Sequence, residues 1–319
     1  MTVQIDELEA LRVPLTRFCY RMLGSAADSD DAVQETLIRA TTKSEQYDPQ
    51  RARLTTWVHR IATNVCLDML RGARRRAFLL DTPPAADGSD LGAPLPPDHW
   101  VEPMPGAKLF GSADPADVVL ERESVRLAFI ALLQRLPPRQ RAVLILRDVV
   151  LLSAHETAEV LEATVASVNS ALQRARGTLR AAASETTDLA EPSDRDQREL
   201  LRAFVRAFEA HDVAALIDVL RTDAISSMPP FAWRIEGAER IATLMAGSDA
   251  CAQDQLILTD INGQPGFGQY RPAADGVLRP FALVSIELRG QHIGHIATFL
   301  GSGERFAEFG LPESLGAVD

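Results

Sequence analysis

Residues 153–180 read SAHETAEVLEATVASVNSALQRARGTLR, and their apolar spacing predicts two helices joined by a tight turn. On the second helix Val165, Val168, Leu172, Ala175 and Leu179 recur at helical spacing and form one apolar stripe. Ser170, Gln173, Arg174 and Gly177 therefore point away from it, with Asn169 and Arg176 flanking that outward face. Asn, Gln, Ser and Arg side chains match the donor and acceptor patterns of base edges in the major groove and the phosphates beside them. The first helix opens on Ser153 with Glu156 three residues later, the signature of a capping box. The competing reading is a short helical hairpin with a solvated polar face, because helix-turn-helix patterns are brief and matched by chance.

A net charge of −11 argues against a DNA-binding chain until it is mapped along the sequence. From Arg51 to Arg76 seven Arg face a single acid, Asp68, whereas Glu191 to Asp319 holds 11 basic and 19 acidic residues. The charge is segregated, so the average hides a basic patch and an acidic module. Cys19, Cys66 and Cys251 lie far apart in apolar segments without metal-ligand spacing, which predicts reduced, buried thiols in a cytoplasmic protein. No apolar run approaches the length needed to span a bilayer, and Asp6, Glu7 and Glu9 stand where a signal peptide is basic. The expectation is a cytoplasmic protein with no membrane partner.

Working outward, the chain of 319 residues divides by composition into three modules. Residues 1–78 are helical by periodicity, with helices expected near Ile5–Leu23, Asp28–Thr42 and Ala52–Arg71. Residues 79–115 are dense in Pro, Gly, Asp and Ala and read as a linker, although HWVEPMPGAKLF (99–110) holds apolar side chains that a spacer does not need, and these suit docking onto a neighbouring surface. Residues 116–183 return to helical periodicity and end in the helix-turn-helix. Residues 184–194 form a second linker. Residues 195–319 begin with helices and turn to strands near Gln255–Ile261, Leu278–Leu288 and Gln291–Leu300, the order of an α+β module.

A second DNA-facing element lies in TTWVHRIATNVCLDMLRGARRR, Thr55 to Arg76. Val58, Ile61, Ala62, Val65 and Met69 share one helical face; Arg60, Thr63, Asn64 and Arg71 fall on the other, and Arg74, Arg75 and Arg76 follow directly. Such a cluster binds phosphates by releasing counterions, and Trp57 beside it can support an unstacked base. A solvated Arg face with Trp57 in the core is the competing account.

Taken together, SDDAVQETLIRA (29–40), WVHRIATNVCLDMLR (57–71), LPPRQRAVLILRD (136–148) and the helix-turn-helix resemble bacterial RNA polymerase sigma factors of the extracytoplasmic-function type, over about the first 180 residues. The resemblance implies two all-α sigma modules and promoter-specific initiation with core RNA polymerase and promoter DNA as partners. Asp31, Gln34, Glu35 and Arg39 would dock on the polymerase clamp. Arg60, Asn64, Arg71 and Arg74 to Arg76 would melt and read the promoter element near the start site, with Asn64 on a flipped base. Ser167, Asn169, Ser170, Gln173, Arg174 and Arg176 would read the distal element as duplex. Asn169 and Ala171 stand where the family frequently has Arg, which implies fewer phosphate contacts.

LLRAFVRAFEAHDVAALIDVLRTDAISSMPP (200–230) resembles the opening of SnoaL-like domains, a cone-shaped α+β fold enclosing a pocket. With the linker string, this points to the group typified by the actinobacterial sigma factor G, although Met104 and Gly106 depart from its motif. Asp223, Met228, Trp233 and either His292 or His295 are the candidate pocket groups. The two histidines sit three apart on an expected strand and so should face opposite ways, which argues against a shared metal. No carboxylate pair or nucleophile and base stands at a catalytic spacing. The third module is thus expected to be an intramolecular regulator without cofactor or catalytic residues, with a small-molecule ligand as a candidate partner. The rival readings are a SnoaL-like enzyme or ligand sensor fused to a DNA-binding module, which turnover or a tight small-molecule ligand in the isolated Arg195–Asp319 fragment would favour, and a repressor using the helix-turn-helix alone, which has no reason to carry the Asp30–Ala40 pattern or a melting helix.

Overall fold

In the computed structural model, which describes residues 3–71, 90–96, 99–111, 124–183, 194–247 and 251–317, the chain divides into two units. One holds Met1–Phe78 with Val101–Glu185, the other Leu79–Trp100 with Thr186–Asp319.

The first unit is helical. The sequence predicts one helix over Ile5–Leu23; two form, α1 (Ile5–Glu9) and α2 (Arg12–Leu23), separated by a turn. α3 (Ala26–Thr42) and α4 (Leu54–Met69) complete a bundle in which α2, α3 and α4 pack on one another and bury Phe18, Cys19, Met22, Val33, Val58, Ala62 and Val65. α2 stops at Gly24, whose φ of 69° suits glycine; the Gln134 side chain lies 3.1 Å from where a Cβ would stand. The apolar string of the expected linker docks in this unit. Val101, Met104 and Leu109 are fully buried, and Tyr20 Oη donates to the Glu102 carbonyl at 2.7 Å. The Glu102 carboxylate accepts from Ser25 Oγ and Ala26 N, both at 2.9 Å, so it satisfies the start of α3. α5 (Gly106–Phe110) ends the string, with Lys108 paired to Asp30 at 2.8 Å.

Further along are α6 (Leu127–Gln134), α7 (Pro138–Leu144), a π-helical turn at Ile145–Val149, α8 (Ala154–Val160) and α9 (Val165–Ala183). A polar seam joins these to α2. Gln134 Nε2 donates to the Arg21 carbonyl at 3.3 Å and the buried Arg141 guanidinium donates to the Met22 carbonyl, so the last carbonyls of α2 meet a helix-terminal cation.

The second unit pairs helices α10 (Asp194–Glu209), α11 (Val213–Val219) and α12 (Ala238–Ala246) with a mixed sheet. Its strands are β1 (Leu220–Ser227), β2 (Arg234–Glu236), β3 (Gln255–Ile261), β4 (Gln264–Pro272), β5 (Val277–Arg289), β6 (His292–Leu300) and β7 (Leu315–Ala317), in the order β2-β1-β6-β5-β4-β3 with β7 beside β5. Among the described residues only β1 and β6 pair in parallel. Phe204, Phe208, Leu216, Trp233, Phe267, Ile286 and Ile296 form the core between helices and sheet. Residues of the expected linker also join this unit: Leu91 packs against the core and Leu95 N donates to the Pro230 carbonyl at 2.8 Å. Cys19 and Cys66 are buried, Cys251 is partly so, and none of the three forms a disulfide among the described residues. Among the described residues no helix is long and apolar enough to cross a membrane.

Candidate nucleic-acid interface

α9 displays the polar face that its spacing predicts. Val168, Leu172 and Ala175 are buried, Leu179 is half-buried, and Ser167, Asn169, Ser170, Gln173 and Arg174 are exposed. Val165 departs from the expectation: it is exposed at the first turn, where the helix has not yet reached its packing partners. Ser167 N donates to Thr164 Oγ1 at 3.1 Å, a side-chain cap that fixes the entry of the helix. Arg176 is not free on this face, since Asp148 holds its guanidinium at 2.9 and 2.6 Å. The turn between α8 and α9 carries Glu162 in the left-handed region, at φ 49°.

On α4 the buried face is centred on Val58, Ala62, Val65 and Cys66. Thr63, expected outward, is buried and donates to the His59 carbonyl at 2.6 Å; Met69, expected inward, is exposed at the helix end. His59 is buried against Phe18, and burial lowers its pKa. Trp57 is half-buried against Tyr47. Asn64 stands exposed, Arg60 is exposed one turn before it, and Arg71 pairs with Asp68 at 2.9 Å. Arg74, Arg75 and Arg76 lie outside the described residues.

The sequence does not announce what covers the first half of the α4 face. Arg53 Nη2 donates to Glu156 Oε1 at 3.0 Å, Thr56 Oγ1 to the same oxygen at 3.3 Å, and Arg60 Nη2 to Glu162 Oε1 at 2.8 Å. α8 and the turn after it thus sit on the helix expected to meet promoter DNA. Glu156 does two things at once. Its Oε2 accepts from Ser153 N at 2.8 Å while Ser153 Oγ accepts from Glu156 N, the capping box read from sequence; its Oε1 faces α4. Bonding by the Ser153 backbone, with help from the Ser153 and Arg53 side chains, holds its pKa down to about 2 against some desolvation.

On α3, Asp31 and Gln34 are exposed and Glu35 pairs with Arg39 at 2.6 Å. Ile38 lies among them with half its surface (51%) in solvent, an apolar centre within a polar patch.

The candidate pocket groups of the second unit are not brought together. Trp233 is a core residue and Met228 packs beside it. Asp223 is exposed and ion-paired with Arg221 at 2.6 Å. His295 is buried and shares a 2.9 Å hydrogen bond with Ser227, its pKa lowered to about 3 by desolvation and by the charges of Arg289 and Arg234. The expectation that the two histidines face opposite ways is overturned. His292 pairs with Arg289 and His295 with Glu287, while Gly294 is an extra residue in a bulge, so both histidines turn to one face. A Cβ on Gly294 would stand 2.5 Å from the Arg289 side chain, which explains the glycine. Only His292 of the candidates lines a groove of about 490 Å³, with Leu220, Arg221, Thr222, Arg289, Gly290 and Gln291.

Both helical modules resemble known protein families. The sigma-70 region 2 family matches residues 8–76 and the sigma-70 region 4 family residues 126–179. The extracytoplasmic-function sigma factor SigG of Mycobacterium tuberculosis is 40% identical over 312 residues, 96% of this chain and 83% of the relative. SigJ of the same organism is 29% identical over 288 residues, covering 86% and 83%. The crystal structure of SigJ superposes with a TM-score of 0.63 at 22% identity, over 97% of this chain and all of that one, and so shares its fold.

Proposed function

The chain belongs to the extracytoplasmic-function RNA polymerase sigma factors, which bind core polymerase and promoter DNA, and we propose how its residues divide that work. Ser167, Asn169, Ser170, Gln173 and Arg174 on α9 read the distal promoter element in the major groove. Arg60, Asn64 and Arg71, with Arg74 to Arg76, engage the melted proximal element. Asp31, Gln34, Glu35 and Arg39 contact the polymerase clamp, with Ile38 as the apolar anchor among them. The observation that carries this reading is the exposed polar face of α9 above buried Val168, Leu172 and Ala175.

The first unit is the resting form. α8 and its turn occupy Arg53, Thr56 and Arg60, so the proximal element reaches α4 only after the two sigma modules part. The acidic α+β unit acts as an intramolecular regulator of that equilibrium; its candidate pocket groups lie apart, in the core, a surface ion pair, a buried dyad and a groove. A ligand-sensing role is supported by the groove lined by Arg221, Arg289 and His292, although Asp223 and Glu287 already pair with the two guanidiniums, and it is tested by thermal-shift titration with inorganic phosphate and small dicarboxylates.

Run-off transcription with core polymerase tests the main reading. The full chain should initiate from genomic promoter fragments, and Asn64→Ala should reduce initiation at least tenfold while leaving polymerase binding intact. Truncation after Ala183 should change output; unchanged output removes the regulatory role, and no initiation by either form removes the promoter-reading assignment.

A further inference from the structure

We propose that α10, the first helix of the acidic unit, is a third DNA contact, gripping the phosphate backbone beside the element that α9 reads. Arg195, Arg198, Arg202 and Arg206 are all exposed and fall at intervals of three, four and four residues, one stripe along the helix. At 1.5 Å per residue the stripe spans about 16 Å. Its opposite face buries Leu201, Phe204, Ala207 and Phe208 in the core, so the stripe cannot turn inward.

Of the seven arginines elsewhere in the unit, six, Arg221, Arg234, Arg271, Arg279, Arg289 and Arg305, each face a carboxylate. Within the stripe only Arg195 does, pairing with Glu199 at 3.3 Å; among the described residues Arg198, Arg202 and Arg206 have no acidic partner. Like charges four apart on a helix repel. Asp196, Glu199 and Glu209 on the same helix offset part of that repulsion, and a polyanion along the stripe relieves the rest. Arginine forks match phosphate oxygens bidentately, and a duplex presents a phosphate charge about every 1.7 Å of its axis.

Chain connectivity supplies the DNA. Ten residues, 184–193, separate the end of α9 from the start of α10. They reach at most about 36 Å, roughly ten base pairs of duplex. With α9 in the groove, the stripe is tethered within reach of neighbouring phosphates at high effective concentration. The inference rests on the assignment of α9 to DNA, and the two can fail separately: Gln173→Ala with Arg174→Ala tests α9, and the stripe has its own variants.

The test uses holoenzyme assembled from core polymerase and the full chain, on a promoter fragment from which it initiates. A benzophenone side chain placed at Arg202 should cross-link to DNA within about fifteen base pairs of the distal element. Cross-linking to polymerase subunits instead assigns the stripe to an acidic protein surface, and absence of any cross-link leaves it solvated; either overturns the proposal. Independently, the triple variant R198Q/R202Q/R206Q should flatten the dependence of log affinity on log salt by about two to three, at roughly 0.9 for each phosphate no longer neutralised. The R198K/R202K/R206K variant should keep most of the slope, because charge and not the fork dominates it. An unchanged slope in the glutamine variant sinks the idea.

Discussion

Glu156 shows how one carboxylate ties local structure to tertiary contact. Its pKa of about 2 in the folded chain lies below the ordinary carboxylate value of 4.5. The ionised form is therefore favoured by folding. That contribution is complete above about pH 4.5, and it is lost as pH falls toward 2. Urea unfolding of the full chain between pH 5.5 and 3.5 should show the gap between wild type and Glu156→Gln narrowing by about 1 kcal/mol after allowance for its partial exposure; a constant gap would show that the bonds to Ser153 and Arg53 do not persist in solution. His295 has the opposite sign of charge. Its buried ring stays neutral at a pKa of about 3 while the unfolded residue takes a proton near 6.5. Stability of the sheet unit should be level above pH 7 and fall by about 1 kcal/mol by pH 5.5. His295→Gln, which keeps a hydrogen-bonding side chain near Ser227 but cannot titrate, should be less stable at pH 8 yet lack that slope.

At the scale of elements, α9 carries few charges with which to grip DNA. Between Thr164 and Gly177 its guanidiniums are Arg174 and Arg176, and Asp148 occupies the second. Asn169→Arg should strengthen promoter binding several-fold and steepen the salt dependence by about 0.9, one added phosphate contact; Asp148→Ala, by releasing Arg176, should act in the same direction. Salt titrations of holoenzyme binding that leave both slopes at the wild-type value would show that this face does not track the backbone. α9 and α4 are legible in the sequence because a 3.6-residue apolar stripe survives there whatever packs against it. β4 is not legible. Gly266 and Gly268 sit in it because a Cβ would approach Ile261 and Leu311 to 2.6 Å, so the strand receives its neighbours' side chains and shows no alternation of its own. β6 is legible as a strand, but the bulge at Gly294 inverts its parity, and a single extra residue moves both histidines to one face. The contacts of Arg53 and Arg60 are invisible for another reason: their partners lie about a hundred residues away, and an exposed arginine on a helix looks the same in sequence whether water or a second module faces it.

At the scale of the molecule, the way the two sigma modules meet bears on whether they can part. The seam contains buried polar groups: Arg141, Gln134 and Arg21 lie along it, bonded to carbonyls at the end of α2 and to Ser124. Groups of this kind recover hydrogen bonds in water when a contact opens, so separation costs less than exposing an apolar seam of the same size. The outer ion pairs are exposed and together contribute about 1 kcal/mol. They offer a handle that leaves the DNA-facing groups intact. Glutamine can replace glutamate in a capping box, so Glu156→Gln keeps the start of α8 while discharging the contact to Arg53, and Glu162→Gln does the same at Arg60. The double variant should shift the closed-to-open balance about fivefold toward open, the equivalent of about 1 kcal/mol. Half-maximal run-off transcription should then require several-fold less protein, with the plateau unchanged, because only the population competent to bind is altered. A lower plateau would mean that Glu156 or Glu162 acts in the open complex itself, and an unchanged midpoint would mean that α8 does not hold α4 closed.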